Sequence, residues 1–256
     1  MPRYDFRTPR LFVDAALDAG ATIPLGREQA NYLVNVLRLK PGADVLVFNG
    51  RDGEWRARLD AAARKAVKKA VNLGVEERMR EQTPAGDLHY LFAPLMHARL
   101  DYMVQKAVEL GVSRLQPVLT RHTQAERVNL ARMQANAIEA AEQCGILDIA
   151  ETAEPVKFDL LVRRWKPDRL LVFCDEDAVV KDPVAALSAA RGGGILNPLP
   201  VSVLIGPEGG FAEDERAALL ALPNTLRLSL GPRILRADTA AVAALALIQA
   251  VIGDWR

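Results

Sequence analysis

The chain has 256 residues, room for one large domain or two modest ones with an adequate core. Half of them are hydrophobic and a quarter charged, which excludes a disordered or fibrous chain and fits a globular one. The net charge is only +1, but it is uneven: residues 1–80 hold 15 Lys or Arg against 10 Asp or Glu, and the rest hold 18 against 22. A basic smaller half beside a mildly acidic larger one suits contact with a polyanion, as it also suits a plain solvated surface. The longest apolar run, Ala240 to Ile252 with Gln249 inside it, is too short to span a bilayer. The opening MPRYDFRTPRLF lacks the apolar core of a signal peptide. Cys144 and Cys174 form no metal-ligand spacing, so a cytoplasmic protein with reduced thiols, no metal and no membrane segment is expected.

In chain order, the first 75 residues read as a small β-rich domain. Leu11–Val13, Val45–Phe48 and Glu54–Leu59 are strand candidates. Asn49-Gly50-Arg51-Asp52-Gly53 between the last two is a hairpin turn, because Asn-Gly and Asp-Gly tolerate positive φ. Glu28 to Leu39 reads as a short helix stopped by Pro41-Gly42. Several short strands with one helix suggest a small barrel. Arg64, Lys65, Lys68 and Lys69 recur at a spacing that suits an exposed face. Residues 76–87, polar and carrying Pro84 and Gly86, read as a linker.

From residue 88 to 256 strands and helices alternate, the signature of an α/β domain with a mostly parallel sheet. The expected strands are Leu88–Phe92, Leu115–Leu119 (with Pro117, hence at an edge or a bulge), Leu170–Phe173, Val201–Ile205 and Leu226–Leu230. The expected helices cover Leu100 to Val108 with Gly111 as C-cap, Val128 to Gln143, Pro183 to Gly192 behind the N-cap Asp182, Ala212 to Leu220, and Thr239 to Val251. His89 and His97 have no sequence neighbour marking them as ligands or bases. Tyr90, Tyr102 and Trp165 read as core or rim.

Two segments carry the chemistry. Gly206-Pro207-Glu208-Gly209-Gly210 follows a buried strand, and LSLGPRILRADTAA, residues 228–241, follows another. Glycines at the carboxyl end of a parallel strand let a ligand touch the main chain, and that end is where open α/β sheets bind ligands. A phosphate-binding loop would need GxxxxGK and a dinucleotide site GxGxxG; neither is present. The one charge of the first loop, Glu208, repels phosphate and welcomes a cation or a ribose hydroxyl. Leu204, Ile205, Leu228, Leu230 and Leu235 are candidates for an apolar slot around a planar ring. Backbone groups near Gly206, Leu230 and Gly231 are candidates to read its edge, and Gly209 and Gly210 to admit it closely.

These two motifs, with PRLFVD (9–14), YLVNVLRLKPG (32–42), VFNGRDGEWRARL (47–59), QKAVELGVSRLQPVLTRHT (105–123) and EAAEQCG (139–145), resemble the RsmE family of SPOUT-class RNA methyltransferases. That family methylates N3 of a uridine in the 16S ribosomal RNA of the small subunit. The resemblance implies a PUA-like RNA-binding barrel (1–75) and a trefoil-knotted SPOUT methyltransferase domain (88–256). It also implies S-adenosylmethionine as cofactor, held by Leu204 to Gly210, Leu228, Leu230, Gly231 and Leu235, and a homodimer. Arg236 is the candidate for stabilising charge on the uracil, and Asp238 either the proton acceptor or the cap of the last helix. Candidates for RNA phosphates are Arg10, Arg38, Arg51, Arg56 and Arg58 in the barrel, and Arg121, His122 and Arg233 near the site. The family usually has His at position 32, Arg at 146, Ser or Thr at 212 and Glu at 238, where this chain has Tyr32, Ile146, Ala212 and Asp238. A SPOUT enzyme for another base, a non-catalytic RNA-binding relative and a nucleotide-dependent oxidoreductase are the rival readings.

Overall fold

The computed structural model describes residues 5, 7–60, 71–96, 98–125, 127–179, 182–192 and 200–255. The basic run Arg64 to Lys69 and His97 lie outside the described residues. Two compact units divide the chain: one of residues 1–84 with 141–149, the other of 85–140 with 150–256.

The first unit holds a five-stranded sheet. Its strands are β1 (Arg10–Phe12), β2 (Thr22–Pro24), β3 (Asp44–Phe48), β4 (Glu54–Leu59) and β5 (Asn72–Arg80), in the order β1-β3-β4-β5-β2. The β1–β3 pairing is parallel and the others are antiparallel. Register shifts in β4–β5 between Glu54 and Trp55 and between Arg56 and Ala57 are bulges, which bend a sheet toward a barrel. Alternate residues of these strands, Val45, Val47, Ala57, Leu59, Leu73 and Val75 among them, meet Leu11, Ile23 and Leu33 in one core. The expected turn is present: Gly50 and Gly53 have φ of 84° and 83°, and the Asn49 carboxamide oxygen accepts the N–H groups of Arg51 and Asp52.

Two expectations are corrected here. Glu76 to Arg80, assigned to the linker, form the outer half of β5, because their charges pair across the sheet: Arg56 with Glu76 and Glu77, and Arg80 with Glu54. The helix expected from Glu28 to Leu39 breaks into α1 (Arg27–Asn31) and a π-turn over Tyr32–Val36, where the Leu37 N–H bonds the Tyr32 carbonyl at 2.9 Å. Val34, Asn35 and Val36 are weak helix formers, and the wider turn sets fully buried Leu33 into the core. Arg38 then takes a left-handed conformation, φ 55°.

Arg10 is also reassigned. It is 7% exposed, its Nε donates to Glu54 at 2.8 Å, and its Nη2 donates to the Asp5 carbonyl. Arg80 completes the network, donating to Glu54 and to the Gly145 carbonyl. Burial pushes the Glu54 carboxyl up, but hydrogen bonds from Arg80 and Arg10 outweigh it and hold it below the ordinary value. A guanidinium committed in this way has no reach to an RNA phosphate. Arg51, Arg56 and Arg58 also form ion pairs, with Asp14 and Asp52, with Glu76 and Glu77, and with Asp44 and Glu76, but their side chains stay at the surface.

The second unit holds a parallel sheet in the order β12-β10-β11-β6-β7-β8: β6 (Leu88–Phe92), β7 (Arg114–Leu119), β8 (Glu151–Thr152), β10 (Leu170–Cys174), β11 (Val201–Ile205) and β12 (Thr225–Leu228). A short strand β9 (Val156–Lys157) also pairs β7. Between the strands run α2 (Ala98–Glu109), α3 (Leu130–Cys144), α4 (Phe158–Arg163), α5 (Pro183–Gly192) and α6 (Glu213–Leu220), and α7 (Ala237–Val251) follows β12. Pro117 is not at an edge. β7 is paired on both sides, and Pro117 falls in the gap between its short pairings to β8 and β9. No partner there needs the missing N–H; Gln116 instead donates to the Glu154 carbonyl at 2.7 Å. Among the described residues no helix is long and apolar enough to cross a membrane.

Candidate functional site

The carboxyl ends of β10, β11 and β12 surround a cavity of about 570 Å³. Its wall is built from the loops after these strands: Cys174–Glu176, Ile205–Phe211 and Ser229–Ala237, with Ala240 from α7. A concave, mostly apolar space of this size at the strand ends of an open α/β sheet is where a small molecule binds.

Most of the expected cofactor residues converge here: Ile205, Gly206, Pro207, Glu208, Gly209, Gly210, Leu230, Gly231 and Leu235 all line the cavity, as do Arg233 and Arg236. Leu204 and Leu228 do not line it. Both are fully buried, and Leu204 packs with Leu91, Phe173, Phe211 and Leu219 beneath the site. In a sheet covered on both faces the residue next to Ile205 must point into the opposite layer. Strand β12 also ends at Leu228, two residues earlier than expected, so Leu230 and Gly231 belong to the loop that lines the cavity.

The first loop is held from several sides. Gly206 lies against Phe211: a Cβ there would meet the ring at 2.6 Å. Phe211 in turn sits edge-on to Phe173 at 5.1 Å. The Gly210 N–H closes a turn onto the Pro207 carbonyl at 2.9 Å, and Gly210 has φ 68°. His122 Nδ1 lies 3.1 and 3.2 Å from the carbonyls of Gly209 and Gly210, so that nitrogen carries the hydrogen and donates. A Cβ on Gly209 would face His122 at 3.3 Å, so Gly209 admits the neighbouring loop rather than a ligand. Glu208, opposite, is 3.6 Å from Arg99 of α2.

Behind the loop, α6 starts with Ala212, which has no side chain able to cap it. Glu215 supplies the other half of a capping box, accepting the Ala212 N–H at 3.0 Å and also the Arg121 N–H at 2.9 Å. The Arg121 side chain is drawn to Asp214 at 2.5 Å. It therefore braces α6 and does not line the cavity.

The third wall was missed by sequence reasoning. Asp175 and Glu176 follow β10, the strand between β11 and β12; the rule that ligands meet the strand ends points to them once that order is known. The Asp175 side chain is fully buried and receives Arg227 Nε at 2.7 Å and Arg216 Nη1 at 3.4 Å. Arg216 also pairs with Asp177. Asp175, Glu176 and Asp177 stand close enough together to hold a metal ion, but Arg227 and Arg216 already pair Asp175 and Asp177. Burial, with Asp175 beside it, pushes the Cys174 thiol up to about 12, so it stays protonated.

Arg236 is exposed and is the N-cap residue of α7. Asp238 lies one residue inside that helix, not ahead of it, and accepts the Thr239 N–H at 2.8 Å. It is neither the cap nor part of the cavity lining; its charge favours the helix dipole. Arg38 and Arg233 are exposed. His89, half-buried beside Arg169 and Asp87, is pushed down to about 4 by burial and is neutral near pH 7.

Residues 81–249 match the model of an RNA methyltransferase domain, and residues 25–71 that of an RNA methyltransferase PUA domain. The chain is 29% identical to the ribosomal RNA small subunit methyltransferase E of Rickettsia conorii over 94% of each chain. It is 30% identical to the protein of that name from Synechocystis over 91% of this chain and 74% of the relative. Among solved structures, the Neisseria gonorrhoeae ribosomal RNA small subunit methyltransferase E bound to S-adenosyl methionine superposes with a TM-score of 0.83 at 25% identity, covering 98% of this chain and all of that one. A Legionella pneumophila protein in complex with the cofactor SAM superposes at 0.77 with 28% identity, covering 95% and 98%.

Proposed function

The chain belongs to the RsmE family of SPOUT-class ribosomal RNA methyltransferases, and on that premise we propose that it methylates N3 of a uridine in the 16S RNA of the small ribosomal subunit, with S-adenosylmethionine as methyl donor. The observation that carries the reading is the cavity itself. Its lining joins an apolar surface (Ile205, Leu230, Leu235) to open backbone at Gly231 and to the carboxylates of Glu176 and Glu208, with Arg233 and Arg236 on the exposed turn. That combination fits a purine attached to a sulfonium cation. Bound there, S-adenosylmethionine supplies an electrophilic methyl group and its own neutral leaving group.

The chain must make the uridine reactive. N3 carries a proton at neutral pH, so the reaction needs its conjugate base, the proton passing to water. Arg236, on the cavity wall at the amino end of α7, is assigned to hold the negative charge that develops on the uracil oxygens. Asp238, with its carboxylate on the Thr239 N–H, is assigned to helix stability and not to proton transfer. Exposed Arg38 on the first unit and Arg233 at the cavity are assigned to RNA phosphates. The reading includes the trefoil knot, a homodimer and a cytoplasmic setting, all drawn from the family resemblance.

The test is transfer of a labelled methyl group to small subunits from a strain lacking the protein, followed by identification of the modified nucleoside. Labelled N3-methyluridine is expected; a different methylated base would support another SPOUT specificity, and no transfer would support a non-catalytic relative. Arg236→Ala should lower kcat by about 100-fold, the scale of losing one charge-stabilising donor, with the Kd for S-adenosylmethionine nearly unchanged. Equal losses in both would assign Arg236 to cofactor binding.

A further inference from the structure

Glu176 stands apart from its neighbours in the acidic run. Asp175 is enclosed by Arg227 and Arg216, and Asp177 is paired with Arg216. Glu176 lies 3.6 Å from Arg216 Nη2, outside hydrogen-bonding distance, and its side chain is 55% exposed while lining the cavity. Its Oε1 sits over the main chain of the first loop, 3.0 Å from where a Cβ on Gly210 would be. The paired neighbours hold the segment that carries Glu176, and its half-exposed side chain lies on the cavity wall beside the first loop.

We propose that Glu176 is a specificity residue that accepts the two hydroxyls of the cofactor's ribose, an assignment that rests on the adenosyl-binding reading above. The strand order supports it. The loops after β11 and β12 line the cavity with Ile205, Leu230, Leu235 and the open backbone of Gly231, suited to the purine, and β10 runs between them. A sugar joined to a purine held by the outer two loops meets the end of the middle strand, where Glu176 stands. The two oxygens of a carboxylate match adjacent hydroxyls, and an acidic residue at a strand end does this work in other α/β nucleotide sites. Glu208, the other exposed carboxylate of the cavity, belongs to the loop after β11 and not to the middle strand.

The experiment is a thermodynamic cycle by calorimetry: wild type and Glu176→Ala, each with S-adenosylhomocysteine and with its 2′,3′-dideoxy form. Removal of the diol should weaken wild-type binding by about 30-fold, as expected for hydrogen bonds to a charged acceptor. The variant should lose a similar factor for the parent ligand and then be indifferent to the diol, within about twofold. Full diol discrimination by Glu176→Ala would overturn the assignment. So would a variant that changes only the preference for S-adenosylmethionine over S-adenosylhomocysteine, because the carboxylate would then face the sulfonium. If wild type binds neither compound, the adenosyl reading itself fails, a different outcome from loss of coupling.

Discussion

The two turns that close the cavity differ in how firmly they are held. The turn from Gly206 to Phe211 is fastened on every side: Phe211 is 7% exposed and packs into the core, His122 bonds two of its carbonyls, and Glu215 anchors the helix that follows. The turn from Ser229 to Arg236 is mostly exposed. Ile234 is 95% exposed, and Gly231, at φ 105°, has nothing within 4 Å of the position a Cβ would take. A site that keeps one wall fixed and leaves the other free can hold the shape of a small ligand and still accommodate a large substrate at its mouth. The structure places Arg233 and Arg236, the candidates for RNA and uracil, on the free wall.

Substitutions should respect this contrast. Gly206→Ala forces a methyl into the Phe211 ring and should cost about 3 kcal/mol of stability by overpacking, with S-adenosylmethionine affinity reduced at least tenfold; denaturant midpoints and calorimetry read both. Glu215→Ala leaves the N–H groups of Ala212 and Arg121 without their acceptor and should cost about 2 kcal/mol. Gly231→Ala meets no neighbour, only the strain of a left-handed backbone, and should cost about 1 kcal/mol. Ile234→Ala should leave the midpoint within about 0.5 kcal/mol of wild type. If Gly231→Ala proved more damaging than Gly206→Ala, the contrast between a fixed and a free wall would be wrong.

Much of this was legible in the chain. Continuous apolar runs such as Val201–Ile205 marked the parallel strands, and glycines after two of them marked the mouth of the site. Periodicity does not say which face of a doubly covered strand a residue takes, so Leu204 and Leu228 were assigned to the cavity and lie in the core. Short strands such as β8 and β9 are stabilised by pairing with β7 rather than by their own pattern, and they left no signal. The acids after β10 were invisible as site residues because their relevance depends on strand order. Arg10 could not be distinguished from a surface arginine until its partner Glu54, 44 positions away, came into contact. Of the positions where the resemblance leads one to expect another residue, Ala212 is accommodated by Glu215 capping alone, and nothing in the structure explains Ile146.

The hydrogen bond from Arg80 to the Gly145 carbonyl has a consequence for biosynthesis. The compact unit that contains most of the first 84 residues also contains residues 141–149, so it is not finished when its own strands leave the ribosome. Its last backbone acceptor arrives some sixty residues later, after β6, β7 and α3 have been translated. A nascent fragment ending near residue 84 should remain loosely folded and protease-sensitive, and one extended past residue 149 should become resistant.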